Sequence, residues 1–351
     1  MHRREAMGAL AAFGLGCVYP GQAAAATVGS STGTGTSIQI VQPKVQTIPG
    51  TARERKNFEY RIGRAVLELI QDWYGQGDLP VWNRALADID MEKRVVNIVY
   101  WVMRFIPDHE EVYPVDPVWI MAQMMEESFY YEFAVSWAFA VGICQFMSVT
   151  ARSVGMVCPE NSDLKQSELN KPELASALTQ LQGLQKQRTE LINSDPTLFK
   201  DPQSKLQEIL KVLAAGGGNL EPELDLSRLE QLDALDRRIK EARSSYRSFL
   251  QANYENRSIF NPQDVRFFYR FDQRVTYRKP VQGMIQIMAE NLRARNGNIL
   301  AATAAYNAGL SRTYTERSGY ASYGRIPPVQ ETVGYLSRIV VAHHEMSKRI
   351  Q

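Results

Sequence analysis

Apolar residues recur at helical spacing along most of the chain, and no convincing strand pattern interrupts them. The spacing predicts a first helix from Arg53 to Tyr74 and a second from about Trp82 to Phe105, where Pro107 ends it. We assign both to an N-terminal helical segment, 52–107, whose apolar faces are core that packs beside the next domain.

The stretch from Val115 to Met156 predicts a helix that carries a carboxyl group at the end of its apolar face. Asp116 can cap this helix, and Pro117 suits its first position, where no N–H is needed. An apolar face follows and ends at Glu127. Burial of a carboxyl at such a position raises its pKa, and a carboxyl that stays protonated near neutral pH can act as a general acid.

From Pro159 to Asn261 the composition shifts to leucine and charged residues, with leucines near heptad spacing. We interpret 159–261 as an inserted, coiled-coil-like helical arm, since insertions are tolerated at exposed loops. Helical patterns resume after it at 280–295, 299–308 and 331–350. The predicted fold is mainly α, with a catalytic domain formed by 108–158 and 262–351 and interrupted by the arm.

Composition narrows the class of protein. Of 351 residues, 44% are hydrophobic and 22% are charged, as in ordinary globular chains. The net charge of +2 argues against nucleic acid as a partner. A basic start, a short apolar core and a run of alanines predict a signal peptide at 1–26 and hence an exported, periplasmic protein. Residues 27–51 are rich in Gly, Ser, Thr and Gln, which is typical of a flexible linker.

The three cysteines leave alternatives open. Cys17 follows Leu15 and Gly16, so a lipid anchor is an alternative to cleavage after Ala26, although Gly14 stands where a lipobox usually has leucine. An exported compartment permits a disulfide between Cys144 and Cys158, but spacing alone does not show that they meet. Two buried free thiols are the other interpretation.

Three blocks of residues carry a family resemblance. The first block runs without a gap through Glu127, Ser128, Tyr130, Ala134, Ser136, Gly142, Gln145, Met147, Thr150 and Ala151. It resembles the signature of the lytic transglycosylases, E-S-x-F…A-x-S-x-x-G-A-x-G-L-M-Q-x-M-P-x-T-A. Residues 304–309, AAYNAG, are similar to the family's A-Y-N-A-G, and Glu331, Thr332 and Tyr335 are similar to its E-T-x-x-Y. The blocks occur in the family's order.

The chain departs from this pattern at Phe139, where the family usually has glycine. Val141, Cys144 and Ser148 also replace usual residues. If the glycine serves a tight bend, Phe139 implies a reshaped loop after the catalytic helix and altered subsites.

The resemblance implies a fold like goose-type lysozyme and cleavage of the β-1,4 link between N-acetylmuramic acid and N-acetylglucosamine in peptidoglycan. In this family one glutamate, here Glu127, is first the acid and then the base, and the product is a 1,6-anhydro sugar. No cofactor or metal is implied. The resemblance places six residues along the sugar groove: Ser136, Gln145, Met147, Tyr306, Asn307 and Glu331.

Structural interpretations exist for most of these six. Ser136 and Asn307 could cap turns, and Gln145 could satisfy buried backbone groups. Met147 could be core, and Glu331 could be an N-terminal helix charge.

Two other functions fit the same residues. A lysozyme-type hydrolase would release a reducing sugar, and a peptidoglycan-binding scaffold would keep the groove with little turnover. The arm could dock a protein partner, roof the groove or only brace the domain.

Overall fold

The computed structural model describes residues 47–217, 222–316 and 318–350. These residues form two compact units. The first contains the described residues up to Asp163 and from Ser258 onward, and the second is Leu164–Arg257. The predicted signal peptide, 1–26, and most of the predicted linker lie outside the described residues.

The described residues are mainly helical, which confirms the predicted fold class. Two strands, β1 (Asp78–Leu79) and β2 (Arg84–Ala85), form one short antiparallel pair. The helices are α1 (Ala52–Tyr74), α2 (Met91–Phe105), α3 (Pro117–Ser128), α4 (Ser148–Ser153), α5 (Ala177–Ser194), α6 (Pro196–Lys200), α7 (Pro202–Ala214), α8 (Pro222–Tyr254), α9 (Pro262–Phe271), α10 (Arg278–Ala294), α11 (Ile299–Ala308) and α12 (Gln330–Ile350). Among these described residues no helix is both long and apolar enough to cross a bilayer.

Helix α3 lies at the centre of the first unit, and ten of its twelve residues are buried. It begins as predicted: Pro117 is its first residue, and the Asp116 side chain accepts hydrogen bonds from the amides of Val118 and Trp119. Helices α2 and α12 pack against it, and α1 and α11 pack against α12. Buried polar contacts fix α3 in place, since the Trp119 indole donates to Thr303 of α11 and Asp116 contacts His343 of α12.

The prediction for the second helix was wrong at its start. It begins at Met91, where Asp90 caps it, and residues 78–90 form the strand pair and a turn instead. The backbone explains the difference, because Val81 and Asn83 have φ of 69° and 51°, in the left-handed region, which no helix allows. The Trp82 indole donates a hydrogen bond to the carbonyl of Phe129, so a distant contact holds this turn. The prediction of no strands was also wrong here.

The second unit contains the helices of the predicted arm. Helices α5 and α8 pack together through a small apolar seam formed by Leu181, Leu184, Ile239, Ala242 and Tyr246. Near the two ends of the unit, Asn170 and Asn253 exchange hydrogen bonds.

The bounds of this unit are narrower than the predicted 159–261. Ser162 and Asp163 both hydrogen bond to Arg270 of α9, and the Ser258 amide donates to Asp264 at the start of α9. These contacts assign both flanks to the first unit. Helix α9 itself was not predicted.

Candidate active site

Glu127 occupies the last turn of α3, at the end of the buried face. The helix stops at Phe129, whose φ of 49° is left-handed and whose amide closes the helix on the carbonyl of Met125. This end therefore holds Glu127 at the edge of the core, half-buried. Desolvation by burial raises the pKa of the Glu127 carboxyl to about 8.

Two neighbours act on this carboxyl in opposite directions. The Tyr335 hydroxyl donates a hydrogen bond of 2.5 Å to Glu127 Oε1, which favours the charged form and lowers the pKa. The charge of Glu126 raises it. Burial outweighs the hydrogen bond, so the acid remains protonated at neutral pH.

Glu126 itself is engaged elsewhere. Arg338 of α12 contacts Glu126 Oε1 through Nε at 2.7 Å and Nη2 at 2.6 Å. Adjacent residues on an α-helix are turned by about 100°, so Glu126 and Glu127 face different surroundings. The pair is therefore not the two facing carboxylates that most glycosidases use.

Tyr335 was quoted in the third sequence block but was given no separate place in the site. The structure puts it beside Glu127 and also makes it the acceptor for the Gln123 amide, at 3.0 Å from Gln123 Nε2. Gln123 is a buried residue of α3. The two residues lie 212 positions apart, so only the folded chain shows the pairing.

Tyr335→Phe should shift the alkaline limb of the pH–rate profile to higher pH, because the hydrogen bond that lowers the pKa of Glu127 is lost. It also leaves the buried Gln123 amide without its acceptor, which should cost about 1–3 kcal/mol of stability. Rate profiles and urea unfolding of both proteins measure the two effects. A profile that moves to lower pH would contradict this view of Tyr335.

Helix α11 supplies the next residues of the site. The Tyr306 hydroxyl donates to the carbonyl of Cys144 at 2.8 Å. Burial raises the pKa of the Tyr306 phenol, and the neighbouring Cys144 and Glu127 raise it further. Asn307 is exposed, and its Oδ1 accepts a hydrogen bond from Thr332, next to Glu331. Glu331 is itself exposed in the first turn of α12. The structure thus joins the second and third sequence blocks beside Glu127.

The loop between α3 and α4 carries the other three predicted groove residues. Ser136 Oγ accepts hydrogen bonds from the amides of Ala138 and Ala140, and the Gln145 amide donates to the carbonyl of Gly142 at 2.8 Å. Both side chains therefore stabilise the loop through its backbone. This agrees with the alternative interpretations, in which Ser136 caps a turn and Gln145 satisfies buried backbone groups. Among the described residues, no hydrogen bond joins Ser136, Gln145 or Met147 to Glu127. Met147 is 43% exposed, so it is not core.

Phe139 keeps a bend that usually needs glycine. Its φ is 65°, in the left-handed region, and its carbonyl accepts a hydrogen bond from Arg274. Arg274 is fully buried in an ion pair with Asp272 and also donates to the carbonyl of Phe146. The buried pair supports the bend at Phe139, and the reshaped loop and altered subsites expected from this residue stay a prediction.

The structure distinguishes between the two interpretations of Cys144 and Cys158, a disulfide or two buried free thiols. Cys144 and Cys158 are both buried and free, so no disulfide joins them. Burial raises the pKa of both thiols, that of Cys158 to about 12, which keeps them unreactive.

Comparison with protein families finds a match for the part of the chain that carries Glu127. A family model described as "Transglycosylase SLT domain" matches residues 105–201, a segment that contains α3, the loop and the beginning of the second unit. No curated protein and no solved structure matches the chain. The SLT domain is a lysozyme-like helical fold and supports a function of the lytic transglycosylase type, with peptidoglycan as substrate. The segment that carries Glu127 and the first of the three blocks is thus matched by the transglycosylase SLT domain family, in agreement with the resemblance of that block.

Proposed function

We propose that this protein is a lytic transglycosylase that cleaves the β-1,4 bond between N-acetylmuramic acid and N-acetylglucosamine and leaves a 1,6-anhydro end. The observation that carries the proposal is Glu127: a single carboxyl with a pKa of about 8, at the end of the central helix of an SLT segment. Such a group is protonated when substrate arrives and can still accept a proton later.

In the first step, Glu127 donates its proton to the glycosidic oxygen, and the bond from the anomeric carbon to that oxygen breaks. The acetamido group of the substrate stabilises the positive anomeric carbon. The Glu127 carboxylate then takes the proton of the sugar's 6-hydroxyl, and this oxygen bonds to the anomeric carbon. No water is consumed, and Glu127 ends protonated as it began.

Among the described residues, the one carboxyl whose charge acts on the pKa of Glu127 is Glu126, which is turned away from it on the helix, and this favours the proposed route over hydrolysis with two facing carboxyls. Glu126 is the nearest candidate in sequence, and it is paired with Arg338. Tyr335 can keep Glu127 oriented in both protonation states, because a hydroxyl can donate to the carboxylate and accept from the acid.

The groove-lining residues remain part of the proposal. Tyr306 and Asn307 belong to the second block, and Glu331 belongs to the third. Their side chains can contact the ring, hydroxyl and acetamido groups of an amino sugar. Ser136, Gln145 and Met147 belong to the loop that follows α3. Met147 is the most accessible side chain of these three.

Product analysis tests the reaction. Purified peptidoglycan incubated with the protein should release fragments that are lighter by one water than hydrolysed fragments of the same composition. Fragments with a reducing end instead would indicate the lysozyme-type hydrolase. No soluble fragments would indicate the scaffold protein.

We also propose that the protein is exported to the periplasm, where its substrate would lie. Support comes from the signal-peptide pattern at 1–26. Intact-mass measurement of protein from the native host should give a chain that begins near Thr27. A mature form that starts at a lipidated Cys17 would contradict cleavage there and indicate a membrane anchor.

The arm is proposed to dock a protein partner. Helix α7 has no buried residue, and Leu206, Leu210 and Leu213 are each more than half exposed along one face of it. A row of leucines at spacing i, i+4, i+7 is the kind of face that a partner helix covers.

Replacing 164–257 by a short Gly/Ser linker should leave a folded protein that cleaves purified peptidoglycan yet fails to complement in cells. A short linker is tolerable because the two ends of the unit approach each other at Asn170 and Asn253, and closing a short loop between near ends costs little. A sharper version changes Leu206, Leu210 and Leu213 to glutamine in the full chain, with the same expected loss of complementation. If cleavage of purified peptidoglycan changes, the arm acts on catalysis instead. Full complementation by both variants would show that the arm only braces the protein.

A further inference from the structure

Gln123 lies one turn before Glu127 on α3, and both side chains reach Tyr335 of α12. The Gln123 amide nitrogen is 3.0 Å from the Tyr335 oxygen, and the Tyr335 hydroxyl donates to Glu127 Oε1 at 2.5 Å. Gln123 is fully buried, and Tyr335 is only 5% exposed. The three side chains therefore form a buried chain of hydrogen bonds that ends on the proposed acid.

The direction of this chain is set by Gln123. An amide nitrogen can only donate, so Gln123 occupies an acceptor site on the Tyr335 oxygen. A lone hydroxyl can either donate to a carboxyl or accept from it, and the Gln123 contact removes the second option. The hydrogen of Tyr335 is thus directed to Glu127 Oε1 whether the carboxyl is neutral or charged.

The other carboxyl oxygen, Glu127 Oε2, is left for the substrate. Within the described part of the chain, Tyr335 is the hydrogen-bond partner of Glu127, and it contacts Oε1. Glu127 is half-buried at the end of α3, so part of its side chain is open to solvent. Because Oε1 already accepts a hydrogen, the proton of the neutral acid belongs on Oε2.

Gln123 also has a feature that packing does not explain. Its Oε1 is buried, and among the described residues it has no hydrogen-bond partner. A buried amide oxygen without a partner is destabilising, and an apolar side chain of similar shape would avoid this penalty. Such a local conflict is expected where a residue serves the reaction and not the stability of the fold.

We propose that Gln123 is a positioning residue that acts through Tyr335 and holds the transferable proton of Glu127 on Oε2. The Oε2–H bond breaks as the proton passes to the glycosidic oxygen, and it forms again with the proton of the sugar's 6-hydroxyl. Tyr335 stays on Oε1 throughout, so no side chain turns between the two steps. This catalytic consequence rests on the proposed function, whereas the direction of the hydrogen bonds can be tested without substrate.

The other titratable groups around Glu127 do not perform this role. Glu126 of the same helix is held in an ion pair. Tyr306 of α11 and Cys144 of the loop both have a pKa well above the ordinary value because they are buried. Burial likewise raises the pKa of the Tyr335 phenol, so all three stay neutral through the pH range in which Glu127 titrates.

Gln123→Met tests the proposal, since methionine has nearly the shape and helix propensity of glutamine but no donor. Tyr335 is then free to accept a hydrogen bond from the acid, which stabilises the neutral form of Glu127. We expect the alkaline limb of the pH–rate profile to move to higher pH by about 0.5 unit or more. The rate at neutral pH should fall by about threefold or more, because the proton is no longer held toward the substrate.

Urea unfolding measures the same shift without substrate. A higher pKa of Glu127 in the folded chain extends the loss of stability with rising pH, so this loss should continue to higher pH in Gln123→Met than in the parent. The difference should disappear when both chains also carry Glu127→Gln.

Tyr335→Phe shows whether Gln123 acts through Tyr335. Each substitution alone should move the alkaline limb to higher pH, but Gln123→Met should move it no further in the Tyr335→Phe background. In that background Gln123→Met should also recover stability, since it removes the amide that lost its acceptor.

Asn291→Leu is the matched control. Asn291 is another buried amide of the first unit, and it donates to the carbonyl of Ala302 between α10 and α11. Replacing it also exchanges a buried amide for an apolar side chain, but the alkaline limb should stay where it is in the parent.

Three outcomes would overturn the proposal. A limb that moves to lower pH in Gln123→Met means that Tyr335 accepts from Glu127 in the parent. No shift in either the rate profile or the unfolding data means that Gln123 only packs. Equal shifts with and without Tyr335 mean that Gln123 acts by another route. A protein that shows the expected unfolding shift but cleaves no peptidoglycan would support the hydrogen-bond direction and contradict the proposed function alone.

Discussion

Glu127→Gln should lower the rate of peptidoglycan cleavage by at least about 10²-fold, the low end of what general acid–base catalysis contributes. The amide keeps the shape of the carboxyl and can still accept the hydrogen bond from Tyr335, but it cannot give or take a proton at neutral pH. Release of soluble fragments from purified peptidoglycan measures the rate.

Glu126→Gln is the matched control, since it makes the same chemical change one residue away. It removes the ion pair with Arg338, which is a contact with an exposed arginine and contributes about 1 kcal/mol or less. We expect this variant to keep substantial activity. An active Glu127→Gln together with an inactive Glu126→Gln would show that the motif alignment is displaced by one residue.

The same pair of proteins tests the pH dependence. The acid must be protonated to start the reaction, so the parent rate should fall as pH rises through about 8.

The free energy of unfolding should also depend on the ionisation of Glu127. Its folded pKa of about 8 lies above the ordinary value of 4.5, so the folded chain holds this proton where the unfolded chain has lost it. Stability from this group therefore decreases as pH rises from about 4.5 to 8.

Glu127→Gln should remove this pH dependence. The stability of the variant relative to the parent should therefore be greater at pH 8 than at pH 5. Unfolding by urea at the two pH values measures the difference. If the free energy of unfolding changes between pH 5 and pH 8 by the same amount in the parent and in the variant, the Glu127 carboxyl has an ordinary pKa.

Local signals explain why much of the fold was predictable. Asp116 and Pro117 begin α3 by themselves, through a side-chain cap and a missing N–H. Helix α11 has the predicted bounds, because Asn298 caps it and Gly309 ends it. Such ends depend on residues within one turn, so a sequence pattern contains them.

The remaining features depend on contacts between distant residues. The turn at Val81 and Asn83 is held by Trp82 against Phe129, and apolar spacing alone extends the helix through it. Tyr335 reaches Glu127 across 208 positions. The arrangement of Arg274 around Phe139 likewise needs the folded chain, because the two residues lie 135 positions apart.

Gly142 is the position in the loop after α3 where a small change should have the largest effect on stability. Its φ is 81°, and a Cβ there would lie 2.0 Å from the carbonyl oxygen of Arg274. The neighbour cannot easily move, because Arg274 is held by its buried pair with Asp272. Gly142→Ala should therefore destabilise the first unit by about 2–5 kcal/mol, from left-handed strain of about 1–2 kcal/mol and overpacking of about 1–3 kcal/mol.

Gly155→Ala separates these two contributions. Gly155 has a similar φ of 76°, but no atom lies within 4 Å of a Cβ built there. This variant should cost only the strain, about 1–2 kcal/mol. Urea unfolding followed by tryptophan fluorescence compares them, and all five tryptophans lie outside 164–257, so the signal reports the first unit alone.

The effect of Gly142→Ala should also reach the reaction. Ile143, the next residue, accepts a hydrogen bond from Ser128 at the end of α3, directly after Glu127. A displaced loop moves or breaks this contact, so cleavage should fall more in Gly142→Ala than in Gly155→Ala even at temperatures where both are folded. Equal stability and equal activity of the two variants would mean that the Arg274 carbonyl can move aside, and that the loop does not hold Glu127 in place.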